Sequence, residues 1–122
     1  MANEIRLTVR GTLTNGNLVD SFAPGDISIT QTTKGGHSPV VSVGTSEEDL
    51  SLGDIATAGL VFLRNIDATN FVTYGPKSGG SMVAFGKIPP GEVAVLRLAS
   101  GVTWRWAADT ATCKVQVKAW EA

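Results

Sequence analysis

Apolar and polar residues alternate with a period of two along much of the chain. The clearest case is residues 4–13, where Ile5, Leu7 and Leu13 lie on one face and charged or hydroxyl side chains occupy the other. Successive side chains of a strand point to opposite faces, so this alternation predicts a half-buried strand. The Asn-Gly pair at residues 15–16 predicts a tight turn after it, because both residue types tolerate a positive φ.

Further strand-like segments follow at regular intervals. They are residues 26–31, 39–43, 59–64, 70–74, 82–86, 93–98, 102–106 and 112–119. The separators are rich in Gly, Pro, Asn and Ser, which favour turns. About eight or nine short antiparallel strands, spaced by about 8–12 residues without a helical layer, are typical of a β-sandwich or a jelly roll. We therefore predict an all-β, jelly-roll-like β-sandwich that forms a single domain over residues 1–122.

One segment carries a helix-start signature. Thr45 is followed three residues later by Glu48, which matches a capping box, and Gly53 ends the pattern before a helix can extend. The pattern predicts at most one helical turn, with solvated acidic residues near the positive end of its dipole. Residues 33–38 are polar and rich in glycine, and we expect them to form a loop.

Composition narrows the class of protein. The chain has 122 residues, a length typical of one domain, and a formal net charge of −1. It therefore lacks the basic character that the phosphates of nucleic acids attract, and we expect no nucleic-acid partner. The first residues do not resemble a secretory signal, and no apolar run approaches the ~18–20 residues that cross a bilayer. We expect a soluble protein, made in the cytoplasm, without a membrane partner.

The sequence offers little catalytic chemistry. His37 is the only histidine and lies in the predicted loop, without the nucleophile that a catalytic base activates. Cys113, the only cysteine, alternates with Val115 and Val117, which predicts a buried structural thiol. Paired carboxylates for glycoside hydrolysis usually come from different strands, so their spacing in the sequence neither supports nor opposes such a site. We predict that the chain is not an enzyme and holds no cofactor.

Acidic residues cluster only at residues 47–54. Glu47, Glu48, Asp49 and Asp54 lack the alternating oxygen ligands and the central glycine of a calcium loop. A cupin-like metal site usually takes several histidines, which one histidine cannot supply. We therefore predict no metal site.

Two of the three tryptophans lie two residues apart. Trp104 and Trp106 share one strand face, and Thr103 and Arg105 share the other. The two indoles can stack on a sugar or an unpaired base, or they can fill a core or a subunit interface. Because the face with Thr103 and Arg105 has a solvated composition, we favour the core or a subunit interface.

Two further segments point to contacts with another subunit. Trp120 lies on the same face as Lys114 and Lys118, where it either makes an exposed contact or covers the end of the sandwich. Residues 93–98 are largely apolar on both faces, so we expect a second copy of the chain to cover one of them. The predicted interface residues are Trp104, Arg105, Trp106 and Trp120.

Three stretches resemble small β-rich virion proteins of tailed bacteriophages. They are residues 65–76 (N-I-D-A-T-N-F-V-T-Y-G-P), residues 87–98 (K-I-P-P-G-E-V-A-V-L-R-L) and residues 111–117 (A-T-C-K-V-Q-V). The shared pattern is a strand ending R-N-[IL]-D, a strand ending Y-G, a P-G-E turn into a strand rich in Val and Leu, and a closing strand of alternating Val. These motifs describe turns and strands, not catalysis.

The resemblance implies a jelly-roll or sandwich subunit that assembles symmetrically on a capsid or a tail. We accordingly expect a structural virion protein, a capsid decoration or cement subunit that forms homotrimers and stabilises the shell. Its expected partners are itself and the major capsid protein or another virion protein, and its expected location is the virion. The alternative is a carbohydrate-binding module on a phage tail or spike, in which Trp104, Trp106 or Trp120 stacks on a glycan.

Overall fold

The computed structural model describes residues 4–122, and it divides into two compact units. The N-terminal unit comprises residues 1–33, and the sandwich unit comprises residues 34–122. Within the described residues the fold is all-β without a helix, and every strand pairing is antiparallel. The predicted all-β class is therefore confirmed, while the single domain over residues 1–122 stays a prediction.

The N-terminal unit consists of two strand pairs. Its strands are β1 (Ile5–Thr8), β2 (Gly11–Asn15), β3 (Leu18–Phe22) and β4 (Asp26–Ile29). β1 pairs with β4, and β2 pairs with β3 across the turn at Gly16, whose φ is 57°. The turn was predicted correctly, but the strand over residues 4–13 is broken after Thr8, because its two halves pair with different partners.

The sandwich unit contains ten strands. They are β5 (Gly36–His37), β6 (Val40–Val43), β7 (Glu48–Asp49), β8 (Ala58–Asn65), β9 (Val72–Ser78), β10 (Ser81–Met82), β11 (Gly86–Ile88), β12 (Val93–Arg97), β13 (Trp104–Ala108) and β14 (Cys113–Glu121). One sheet has the order β12-β8-β14-β5, with β6 also paired to β14. The other has the order β10-β9-β13-β7, with β11 also paired to β9. The sheets pack in a sandwich-like arrangement that includes a curled half-barrel sheet.

The structure has more strands than the eight or nine that the sequence predicts, because several are only two residues long. The segment at residues 82–86 is divided between β10 and β11, and the predicted loop at residues 33–38 contains β5. The predicted helical turn is wrong. Glu48 and Asp49 form strand β7, which pairs with Trp106 and Arg105 of β13, so pairing with a neighbouring strand outweighs the local capping pattern.

The core lies between the two sheets and follows the alternation along the strands. β14 and β8 contribute Val115, Val117, Val61 and Leu63, which are completely buried. The β9–β13 sheet contributes Val72, Ile88, Trp106 and Ala108. Trp106 is the largest of the fully buried side chains, so a tryptophan occupies the centre of the sandwich unit.

One buried polar side chain organises the loop that joins β8 to β9. The Asn65 amide nitrogen donates hydrogen bonds to the carbonyls of Asn70 (2.8 Å) and Ile88 (2.9 Å), and its oxygen accepts one from the Asp67 N–H (2.9 Å). The Asp67 carboxylate accepts hydrogen bonds from the N–H groups of Asn70 and Thr69, which lower the pKa of Asp67. The R-N-I-D motif therefore serves a structural purpose here.

The Y-G motif also has a packing role. A Cβ atom at Gly75 would overlap the backbone carbonyl of Val83. The residues around Val83 lie close because the Val83 N–H donates to Pro76 O at 2.8 Å and the Phe85 N–H donates to Tyr74 O at 2.9 Å. Glycine is therefore required at this position for β9 to approach the following segment closely.

Candidate functional site

The paired tryptophans have different surroundings. Trp106 is fully enclosed by its own chain, so the core alternative is confirmed for it. Trp104 is half-buried in an aromatic cluster, with its ring 6.5 Å from Tyr74 and 6.3 Å from Phe85. Within the described residues, neither indole N–H has a hydrogen-bond partner. Of these two tryptophans, only Trp104 thus lies near enough to the surface for a contact outside its own chain.

Arg105 is bound within the chain. Its Nε donates to Asp49 Oδ1 at 2.9 Å, and its Nη1 lies 3.2 Å from Glu47 Oε1 and from the Gly80 carbonyl oxygen. The hydrogen bond to Asp49 raises the pKa of Arg105. The guanidinium therefore ties β7 and the β9–β10 turn to β13, and the acidic residues predicted to be solvated bind it. The interface role of Arg105 stays a prediction.

The two residues considered for catalysis have structural surroundings. Cys113 is a free, completely buried thiol, as predicted, and burial raises its pKa. His37 belongs to β5, opposite Ala119 of β14, and its ring packs closely against Gly53. Within residues 4–122, no group of three or more His, Cys, Asp or Glu residues is arranged to hold a metal ion.

The outward side of the β8–β14 sheet carries an aromatic groove. Trp120 packs edge-on against Phe62 with the ring centroids 4.9 Å apart. The groove has a volume of about 220 Å³, and we define the outer groove by Phe62, Arg64, Val93, Gln116, Lys118 and Trp120. Trp120 therefore lies on the face predicted for it, half-buried beside polar and cationic side chains.

Strand β12 leaves apolar side chains uncovered next to this groove. Its inward residues pack on the core, but Val93 is 57% exposed and Val95 is 41% exposed. One chain alone thus leaves one face of residues 93–98 uncovered, and the expectation that a second copy covers it stays a prediction. β12 is also the last strand in its sheet order, and it pairs with β8.

The β2–β3 hairpin, residues 11–22, is the second uncovered apolar surface. Every strand residue in it is exposed. In the register of the pair, Leu13 lies opposite Asp20, and Phe22 and Leu18 are two residues to either side of Asp20 on the same face. The expectation that Leu13 is buried is wrong, because two strands without a covering layer cannot enclose a side chain.

The sandwich unit also has a larger and more polar cavity of about 350 Å³ at one end. It lies between residues 49–58 and residues 98–104, and Leu52, Ile55 and Trp104 are part of its wall. Asp49 is the only ionisable side chain in its lining, and that carboxylate is bound to Arg105. The cavity therefore presents no free charged group to a ligand.

Sequence reasoning found Trp120 but missed the rest of the outer groove and the hairpin face. The sequence did contain a signal for the groove. Arg64, Gln116 and Lys118 alternate with buried residues, which marks them as outward-facing side chains on neighbouring strands. Among residues 4–122, no helix has the length and apolar character to span a membrane. In comparisons with known proteins, the chain matches no family model, no curated protein and no solved structure.

Proposed function

We propose that this chain is a structural virion protein of a tailed bacteriophage, a capsid decoration or cement subunit that stabilises the shell through symmetric contacts between its own copies. The observation that carries the proposal is the apolar area left uncovered at two places, the β2–β3 hairpin and the outward face around β12. Contiguous exposed apolar surface of this kind marks protein interaction sites in folded proteins. Self-assembly would cover it.

The free edge of the β8–β14 sheet supports the same proposal. An edge strand offers unpaired backbone groups to another chain, and folded proteins usually protect such edges or use them for assembly. β12 combines an edge position with outward-facing Val93 and Val95. A building block that meets other subunits would use both features.

The resemblance noted in the sequence contributes the virion context. Its motifs coincide with positions that build this fold, namely the Asn65 loop, the close approach at Gly75 and the alternating valines of β14. The residues that carry the resemblance therefore have packing roles in this chain. The location in the virion and the trimeric state belong to the proposal.

Two measurements test this function. Light scattering behind size exclusion should give three times the 12.7 kDa mass of one chain. Particles purified from a culture that encodes the chain should carry it at a fixed copy number, and particles lacking it should lose their contents at a lower temperature. A strictly monomeric protein without affinity for such particles would contradict the proposal.

A second candidate function is a carbohydrate-binding module, and the outer groove favours it. Trp120 and Phe62 form an aromatic wall beside the polar side chains of Gln116 and Arg64. Aromatic surfaces bordered by hydrogen-bonding groups suit the apolar faces and hydroxyls of sugars. This candidate predicts that a glycan changes the tryptophan fluorescence and that Trp120→Ala abolishes the change. Silence across a broad glycan panel would rule against it.

A further inference from the structure

We propose that the β2–β3 hairpin of one chain docks on the outer groove of a second copy. The inference rests on the homo-oligomer of the proposed function and specifies the two surfaces that build it. The contact joins different chains, with the hairpin as the donated element and the outward face of β8, β12 and β14 as the acceptor. One interface of this kind would cover the exposed apolar side chains of the hairpin and of the groove together.

The hairpin has the form of a donated element. A two-stranded hairpin is marginally stable when nothing covers its apolar face. Leu18 and Phe22 are 58% and 65% exposed, and they flank Asp20 on one face. Asp20 is the only charged residue in the two strands, and its carboxylate accepts a hydrogen bond from the Ser21 N–H at 2.8 Å. The face thus presents large apolar groups around one negative charge.

The outer groove has the complementary character. Phe62, Val93 and Trp120 supply its apolar surface, and the two ionisable side chains in its lining, Arg64 and Lys118, are cations. Lys118 Nζ lies 3.1 Å from the Ser38 hydroxyl, a neutral partner. Within residues 4–122, no ion pair engages either cation. An incoming carboxylate would therefore gain two cationic neighbours without displacing an acidic side chain.

The two surfaces also agree in length. Leu18 and Phe22 are four residues apart on β3, which corresponds to about 13 Å along a strand. Gln116 and Trp120 are likewise four residues apart on β14, which gives the groove a similar length. Two β-surfaces pack face to face at about 10 Å when their side chains interdigitate. The apolar groups of the hairpin can thus enter the groove while Asp20 reaches its cationic side.

We call the docking of one copy's hairpin on another copy's outer groove the exchange. Pairing between identical surfaces is less favourable than this exchange. Two hairpins meeting face to face would bring one Asp20 against another, and two grooves would bring Arg64 and Lys118 against their own copies. Like charges placed opposite each other across an interface disfavour association. A contact between unlike surfaces avoids both conflicts, and such contacts close into rings when the rotation between copies permits it.

Charge reversal tests the exchange in the full chain. Asp20→Lys, and separately Arg64→Glu with Lys118→Glu, should each raise the dissociation constant of the oligomer on the order of tenfold or more. Combining all three substitutions should restore it to near the value of the unsubstituted chain. Lys77→Glu, an exposed lysine on β9 of the opposite sheet, is the matched control and should leave the mass unchanged. Circular dichroism verifies that each variant is folded.

The possible results separate this inference from the proposed function. Loss of the oligomer in both single-surface variants, with recovery in the combined variant, supports the exchange. An oligomer that resists every charge reversal overturns the exchange but leaves the proposed subunit intact. A monomer at every concentration overturns the exchange, and it overturns the proposed function as well if the chain has no affinity for particles. An unchanged oligomer whose groove binds a glycan, with the binding lost in Trp120→Ala, overturns the exchange and assigns the groove to a sugar.

Discussion

Strands β8 and β14 form an antiparallel pair with an apolar face, and so do strands β2 and β3. On the first pair, Leu63 and Val117 are completely buried under the opposite sheet. On the second, Leu18 and Phe22 extend into solvent. The strands are similar in their alternation, so the difference arises from the presence or absence of a covering layer.

This contrast separates two uses of apolar residues in one chain. Inside the sandwich unit, burial of apolar area supplies the main favourable contribution to folding. On the hairpin the same residue types contribute little to the stability of a single chain, because folding does not remove them from water. They can contribute only when another surface covers them. Substitutions in the two regions should therefore affect different measurements.

The largest expected effect is in the interior. Trp106→Ala removes the largest fully buried side chain and leaves a cavity between the sheets. We expect the free energy of unfolding to fall by about 3–5 kcal/mol, as measured in urea. The same substitution at half-buried Trp104 should cost less, because part of that side chain already meets solvent. Equal losses at the two positions would contradict the distinction between core and periphery.

The next effect concerns the buried amide. Asn65→Ala removes three hydrogen bonds and leaves their partners at Asn70, Ile88 and Asp67 without them. Unsatisfied buried polar groups cost about 1–3 kcal/mol, so a loss of that size is expected in urea unfolding. The control is Asn70→Ala, which removes one exposed side-chain hydrogen bond to Thr110. If both variants lose the same stability, Asn65 does not organise the loop.

A smaller and pH-dependent effect is expected at Asp67. Its pKa is lowered in the folded chain by hydrogen bonds from the N–H groups of Asn70 and Thr69. This carboxylate therefore stabilises the fold above its unfolded pKa of about 3.9, and the stabilisation is lost as the pH falls through its folded pKa. Asp67→Asn should be less stable than the unsubstituted chain at pH 7 but not at strongly acidic pH.

Urea unfolding at several pH values measures this difference. The same change at exposed Asp54 is the control and should leave stability at pH 7 nearly unchanged. A deficit in Asp67→Asn that persists at the lowest pH would mean that the amide disturbs the loop for reasons other than lost charge. Asp67 is only partly buried, so this measurement compares a contribution made near the surface with the contributions of fully buried residues.

The smallest expected effect on stability is on the hairpin. Phe22→Ala truncates an aromatic side chain that is 65% exposed, so the free energy of unfolding of the monomeric chain should change by no more than about 0.5 kcal/mol. The measurement requires a concentration at which light scattering shows single chains. A loss comparable to that of Trp106→Ala would show that the hairpin is already covered within one chain.

The local features of both units could be predicted from the sequence. The alternation of Cys113, Val115 and Val117 identified the inward face of β14, and the Asn15-Gly16 pair identified the hairpin turn. Both signals are local, since strand alternation and turn chemistry depend on neighbouring residues. Where the local pattern and the tertiary structure agree, the prediction is confirmed.

The errors came from interactions over long sequence distances. The capping pattern at Thr45 suggested a helical turn, but Arg105, more than fifty residues away, binds Glu47 and Asp49 beside a short strand. The outer groove likewise combines side chains from β8, β12 and β14. Alternation indicates that two faces differ, but it does not tell which face another layer covers. For that reason Leu13 was wrongly predicted to be buried.

The position of β14 has a consequence for how the chain is made. β14 lies between β8 on one side and β5 and β6 on the other, so it joins segments that precede it by many residues. On the ribosome, the β8–β14 sheet cannot close until residues up to 121 have left the exit tunnel. Pairings between distant segments also form slowly. We therefore expect nascent chains to lack the complete sheet until β14 has been synthesised.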